Sequence, residues 1–206
     1  MRLLPATKCR PLTIIGIDPG SETLGLCIMY VDVLTFEITE TTSQTYIGSK
    51  LGMSKEIAEV FGDKFARIEC HKQNIKRIFS EINPSVVVCE SPFYNSRRPN
   101  AFAALTDVVG AIRYACFEYS ALLSLELVDP PTAKIAVGAK GNGKKEQILE
   151  AILKLGNLAY KGIRPLETLD EHEIDAIAIA YWKYKKLREN FEIERSLCNN
   201  PTQIHS

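Results

Sequence analysis

Close cysteine pairs are missing from this chain. Its six cysteines (Cys9, Cys27, Cys70, Cys89, Cys116, Cys198) are scattered and none forms a C-x-x-C. That spacing excludes the usual zinc and dithiol motifs, so six free thiols are expected. Net charge is missing too: 25 basic residues balance 25 acidic ones, and bulk electrostatics alone points to no polyanion or membrane surface. No apolar run nears the roughly 18 residues needed to span a bilayer, so no membrane partner is expected. The start, MRLLPATKCRPLTIIGI, has neither the apolar core nor the small-residue cleavage site of a secretory signal. An intracellular, cytoplasmic location is therefore expected, nucleoid-associated in a bacterium or in the host cytoplasm for a virus. Repeats, low-complexity segments and linkers are absent as well. One domain over 12–189 is expected, between an N-terminal extension (1–11) and a weakly ordered C-terminal tail (190–206).

What is present reads as an α/β layer fold. LTIIGID (12–18) is a buried strand ending at a Pro-Gly turn, and 24–32 and 33–39 suit two further strands of a meander, with 40–53 a polar loop. Apolar residues recur at helical spacing from Ser54 to Ile82 and stop at Asn83-Pro84. SVVVCE (85–90) is a short strand, 100–123 a long helix, 124–129 a strand, 144–155 a helix, and 170 to about 188 the last helix. The order βββ-α-β-α-β-α-α predicts a mixed central sheet covered by helices.

The stretch LDEHEIDAIAIAYW (169–182) sets five ionisable side chains within six residues against an almost wholly apolar run. Acids in the first turn complement the helix dipole, each by about 0.3–1 kcal/mol. That accounts for Asp170, Glu171 and Glu173, with Asp170 as N-cap. It does not account for Asp175, which lies between Ile174 and Ala176 in a helix too apolar to be anything but buried. A carboxylate there must be paired, protonated or bound to a metal, and His172 shares its face three residues earlier. The ordinary alternative is a capped core helix that tolerates an Asp. Asp18 and Glu90 each end a strand, where active sites gather in α/β sheets, although Asp before Pro-Gly is also common turn chemistry. Together the three carboxylates and the imidazole make a hard-ion donor set suited to Mg²⁺ or Mn²⁺.

Four blocks, GIDPGSETLG (16–25), VVVCESPF (86–93), AKIAVGAKGNGKKEQI (133–148) and HEIDAIAIA (172–180), occur in the order and approximate spacing of RuvC-type Holliday junction resolvases. The chain resembles that family from about residue 12 to 185. The resemblance implies a ribonuclease H-like fold, a homodimer, and metal-dependent nicking of four-way DNA junctions at two symmetric points in recombination and repair. Carried over, Asp18, Glu90, His172 and Asp175 look like the family's metal-binding catalytic quartet, holding two Mg²⁺ ions, with Mn²⁺ also supporting activity. Many members carry Asp where this chain has His172, and some carry His. Imidazole suits Mn²⁺ better than Mg²⁺, so activity in Mn²⁺ at least equal to that in Mg²⁺ is expected. His172 could also serve as a base for the attacking water. Two other readings stay open: a broader branched- or flap-DNA endonuclease, and a non-catalytic junction-binding protein.

Phe93 stands where the family has an aromatic that stacks on a base at the opened junction, and Tyr94, Arg97 and Arg98 follow it. Base stacking on an aromatic face is worth about 1–3 kcal/mol; the other reading is that Phe93 plugs its own loop into the core. Lys134 and Lys145 align with basic residues the family uses near the scissile phosphate, Lys144 lies beside them, and an ordinary surface role is open for Lys134. Between Pro130 and Pro165 there are seven Lys or Arg and two acids, enough for a local polyanion surface on a neutral chain. GAKGNGKK (138–145) fits the first part of a nucleotide-binding P-loop, but Lys145 replaces the Ser or Thr that follows, so no nucleotide cofactor is expected. The 100–123 helix has too few polar positions for a normal solvent face. The family places this helix at its dimer interface; burial within its own domain is the alternative.

Overall fold

The computed structural model describes residues 10–94, 96 and 99–199. Its centre is β1 (Leu12–Asp18), apolar along its length because helices cover both faces. β1 pairs antiparallel with β2 (Thr23–Val31), which pairs antiparallel with β3 (Ile38–Ile47). On its other side β1 runs parallel to β4 (Val86–Glu90), which runs parallel to β5 (Leu125–Val128). The sheet order is β3-β2-β1-β4-β5, and the sheet is mixed and covered by helices, as the sequence predicts.

Successive strand residues point to opposite faces, and the two faces carry separate cores. Ile14, Met29 and Val88 pack with Ile177 and Tyr184 of α6 (Glu171–Asn199). Ile15, Ile17 and Val87 pack with Phe79 of α2 (Asp63–Ile82) and Ile112 of α3 (Pro99–Tyr119). Between β5 and α6 come α4 (Pro130–Ala136) and α5 (Lys145–Leu153). Among the described residues, no helix is long and apolar enough to cross a membrane, and Cys27, Cys70, Cys89, Cys116 and Cys198 are free thiols; Cys9 lies outside the described residues.

Several expected boundaries move. The third strand is Ile38–Ile47 rather than 33–39, so most of the expected 40–53 loop is strand. Asp32 Oδ1 accepts from the amides of Leu34 and Thr35 at 2.8 and 2.9 Å, and Phe36 adopts a left-handed φ of 57°. These residues form the hairpin turn, and Thr-rich β3 reads as polar because it lies at the sheet edge. That edge is covered at Thr41, whose amide donates to Ala159 O (3.0 Å) and whose carbonyl accepts from Lys161 N (2.8 Å). The expected single 54–82 helix is two, α1 (Lys55–Phe61) and α2, broken at Gly62 with φ +85°. α4 was not legible in TAKIAV; Asp129 caps it, accepting from Thr132 N at 3.0 Å, and its prolines occupy the first turn, where no amide is required. The last helix continues past Arg188 to Asn199 instead of giving way to a tail. Phe191 stacks on Phe36 at 4.8 Å and Arg188 pairs with Glu192.

Candidate active site

Asp18 and Glu90 end adjacent parallel strands. Ile17 and Cys89 are paired across β1 and β4, so the next residue on each strand is a carboxylate, and neighbouring strands lie about 4.8 Å apart. Against these strand ends packs the start of α6, where His172 and Asp175 share one face. His172 Nδ1 donates to Asp18 Oδ2 at 2.7 Å, tying the helix to β1. The close approach depends on glycine. A Cβ at Gly25, the β2 partner of Asp18, would lie 2.1 Å from His172 O.

Burial and mutual repulsion dominate the electrostatics. Glu90 is pushed up to about 8, first by burial and then by the charges of Asp18 and Asp175, with Lys134 opposing. Asp175 rises to about 6 from burial and Asp18, opposed by Lys134, His172 and Lys145. Asp18 is raised by burial despite its bond to His172, while that same bond raises His172. The structure thus gathers Asp18, Glu90, His172 and Asp175 into one electrostatic cluster and sets Lys134 and Lys145 at its border.

Among the described residues, no three His, Cys, Asp or Glu side chains converge closely enough to grip an ion as they stand. The donor chemistry nevertheless fits a divalent cation. Three half-buried carboxylates destabilise one another, and a bound cation relieves that repulsion without protonating them. Asp18, Glu90, Asp175 and His172 could hold it after side-chain rotation that releases the Asp18–His172 bond.

No family model matches the chain. A Sulfurovum sp. (strain NBC37-1) protein, crossover junction endodeoxyribonuclease RuvC, is 28% identical over 181 residues, covering 86% of this chain and 99% of that protein. Among solved structures, Thermus thermophilus RuvC in complex with a Holliday junction substrate is similar at a TM-score of 0.60 and 20% identity, covering 86% of this chain and 96% of that one. The yeast mitochondrial Holliday junction resolvase Ydc2 is similar at 0.60 and 12% identity, covering 94% and 88%. These structural likenesses carry the fold. The chain is RuvC-like in sequence and in fold.

In this RuvC-like chain Phe93 and Tyr94 are 71% and 59% exposed on the loop after β4, so Phe93 is not a core plug. Tyr94 meets Phe102 edge-on at 5.5 Å. Arg97 and Arg98 lie outside the described residues. Lys145 begins α5 and pairs with Glu171, whereas exposed Lys144 caps α5 through its backbone, its amide donating to Gln147 Oε1 at 3.0 Å and its carbonyl accepting from the amides of Gln147 and Ile148. The G-x-x-x-x-G-K stretch follows helix α4 rather than a strand, which is not P-loop architecture.

Sequence reasoning missed three residues at this end of α6. Glu171 faces both Lys145 and His172, its Oε1 lying 3.7 Å from His172 Nε2. Arg164 pairs with both Asp170 and Glu173. Glu173, assigned by pattern to the helix dipole, is only 2% exposed. Its i−1 position to apolar Ile174 was the available signal, but first-turn acids are too common for that signal to decide.

Proposed function

We propose that this chain is a divalent-metal-dependent endonuclease that resolves four-way DNA junctions by paired symmetric nicks, working intracellularly as a homodimer. The observation that carries the reading is the meeting of Asp18 and Glu90, from adjacent strand ends, with His172 and Asp175 on α6, bordered by Lys134 and Lys145. It is supported by the likeness to the Sulfurovum RuvC protein over nearly that protein's whole length. Mg²⁺ or Mn²⁺, two ions held by Asp18, Glu90, Asp175 and His172, would supply Lewis acidity and an activated water for phosphodiester cleavage.

The chain's own residues do the rest. Lys134 and Lys145 draw the phosphate toward a carboxylate cluster that would otherwise repel it. Before metal is bound, Asp18 holds the His172 ring at the site through Nδ1; once that bond is released, the imidazole is free to serve as a ligand or as a base for the attacking water. Exposed Phe93 and Tyr94 offer aromatic faces to bases at an opened junction centre. Two nicks require two sites, and the α2–α3 face suits a second copy. Phe61, Phe65 and Tyr114 line its groove and are exposed in the single chain.

The test is cleavage of a labelled synthetic four-way junction, with linear duplex and flap DNA as controls, in Mg²⁺, Mn²⁺ and EDTA. Paired symmetric nicks that need metal and disappear in Asp175→Asn, while junction binding survives, are expected. Cleavage of every branched form indicates the broader nuclease. Tight binding without cleavage in any metal indicates a junction-binding protein.

A further inference from the structure

The start of α6 is built from acids that need a cation. Asp170 Oδ1 accepts from the amides of His172 and Glu173, both at 3.1 Å, and Glu173 Oε2 accepts from Asp170 N at 3.3 Å. This reciprocal capping box satisfies the first amides of the helix. β3 braces it: Thr45 Oγ1 donates to Asp170 Oδ1 at 2.7 Å and Ser43 Oγ to Glu173 Oε1 at 3.3 Å. The Glu173 side chain is 3% exposed, and a carboxylate so buried must be paired or neutralised.

Arg164 provides the pairing. Its Nη2 bonds both Glu173 Oε2 and, at 3.2 Å, Asp170 Oδ2, so one guanidinium spans the capping box. The residue stands on a short tether fixed at both ends. Lys161 N is bound to Thr41 of β3, and Thr168 N closes a turn on Pro165 O at 3.0 Å. His172 lies between the two capping acids, and Asp175 lies two residues beyond the second.

We propose that Arg164 is a positioning residue: by clamping Asp170 and Glu173 it sets the start of α6 and so the presentation of His172 and Asp175 to Asp18 and Glu90. The proposal rests on the reading of that cluster as the active site. A lysine at 164 keeps the charge that Glu173 requires, but its shorter and more flexible stem does not hold one nitrogen fixed between Asp170 and Glu173 as the rigid guanidinium does. Misplacing catalytic groups by about 1 Å costs roughly tenfold to a hundredfold in rate.

The experiment compares the full native chain with Arg164→Lys by circular dichroism, junction binding in EDTA, single-turnover cleavage, and NMR of the His172 ring assigned with His172→Asn. The variant is expected to stay folded and bind junctions. Its His172 ring signals move as the Asp18 bond changes, and its cleavage falls roughly tenfold or more. Unmoved His172 signals overturn the proposal whatever the cleavage rate, and so does native cleavage with moved signals. A native chain that cuts no junction, beside moved signals in Arg164→Lys, overturns the functional reading and leaves the clamp standing.

Discussion

Glu90 illustrates how a single residue carries both a cost and a use. Its carboxyl, ordinarily near 4.5, is held near 8 by burial and by Asp18 and Asp175. A carboxyl raised on folding favours the native state below its unfolded value, and that contribution is lost as pH rises through the folded value. Asp175, raised to about 6, has the same sign. His172, also raised, loses its contribution above its ordinary value too. The metal-free chain is therefore expected to lose thermal stability between pH 4.5 and about 8, and Glu90→Gln to flatten that decline, both measured by Tm across pH. Adding Mg²⁺ or Mn²⁺ at pH 8 is expected to raise Tm in the native chain and much less in Glu90→Gln, because a ligand that binds only the native state stabilises it. At Phe93, 71% exposed, alanine is expected to leave Tm unchanged and weaken junction binding by about 1–3 kcal/mol, read by titration of labelled DNA. Asp18 and Glu90 were legible because each ends a strand-length apolar run. Glu173 was not, because a dipole-complementing acid and a buried, clamped acid look alike in sequence.

Elements meet here at distances that only missing side chains permit. A Cβ at Gly16 of β1 would lie 2.5 Å from Ala176 O and 2.8 Å from Ala180 Cβ, so Gly16, Ala176 and Ala180 let α6 lie directly on the central strand. Gly16→Ala is expected to destabilise by roughly 1–3 kcal/mol or more, as overpacking does, measured by denaturant unfolding. Gly25→Ala acts on the helix start instead, where the backbone of His172 is in the way. Its cleavage rate is expected to fall by more than its loss of stability explains, judged by single-turnover assays at a temperature where the variant is fully folded. Strands β1 and β4 and helix α6 followed from continuous apolar runs of strand and helix length. β3 did not, because an edge strand buries one face only in part and its alternation is carried by threonines. The break at Gly62 rests on that residue's left-handed φ of 85°, whereas the run of α6 past Arg188 is packed through Phe191 on Phe36.

At the scale of the whole molecule, the exposed faces bear on its partners. Tyr114 of α3 and Phe61 at the end of α1 are 65% and 64% exposed beside the α2–α3 groove, so replacing both by Glu is expected to leave the fold intact and to shift the proposed dimer to monomer. Light scattering reads the mass, and loss of paired nicking in favour of single nicks checks the consequence. Although net charge is zero, junction binding is expected to weaken with salt, because log K falls by about 0.9 per phosphate neutralised for each decade of salt. Lys134→Ala with Lys145→Ala is expected to reduce that slope, in titrations between low and moderate salt. The sequence by itself determined the α/β class, the apolar strands and the candidate quartet, since hydrophobic period and a polar residue out of pattern are local signals. Tertiary structure alone decided that Asp18 and Glu90 end neighbouring strands, that His172 bonds Asp18, and that Arg164 clamps the start of α6. Those relations join residues distant in the chain, and their energies arise only when the sheet and helix have removed them together from water.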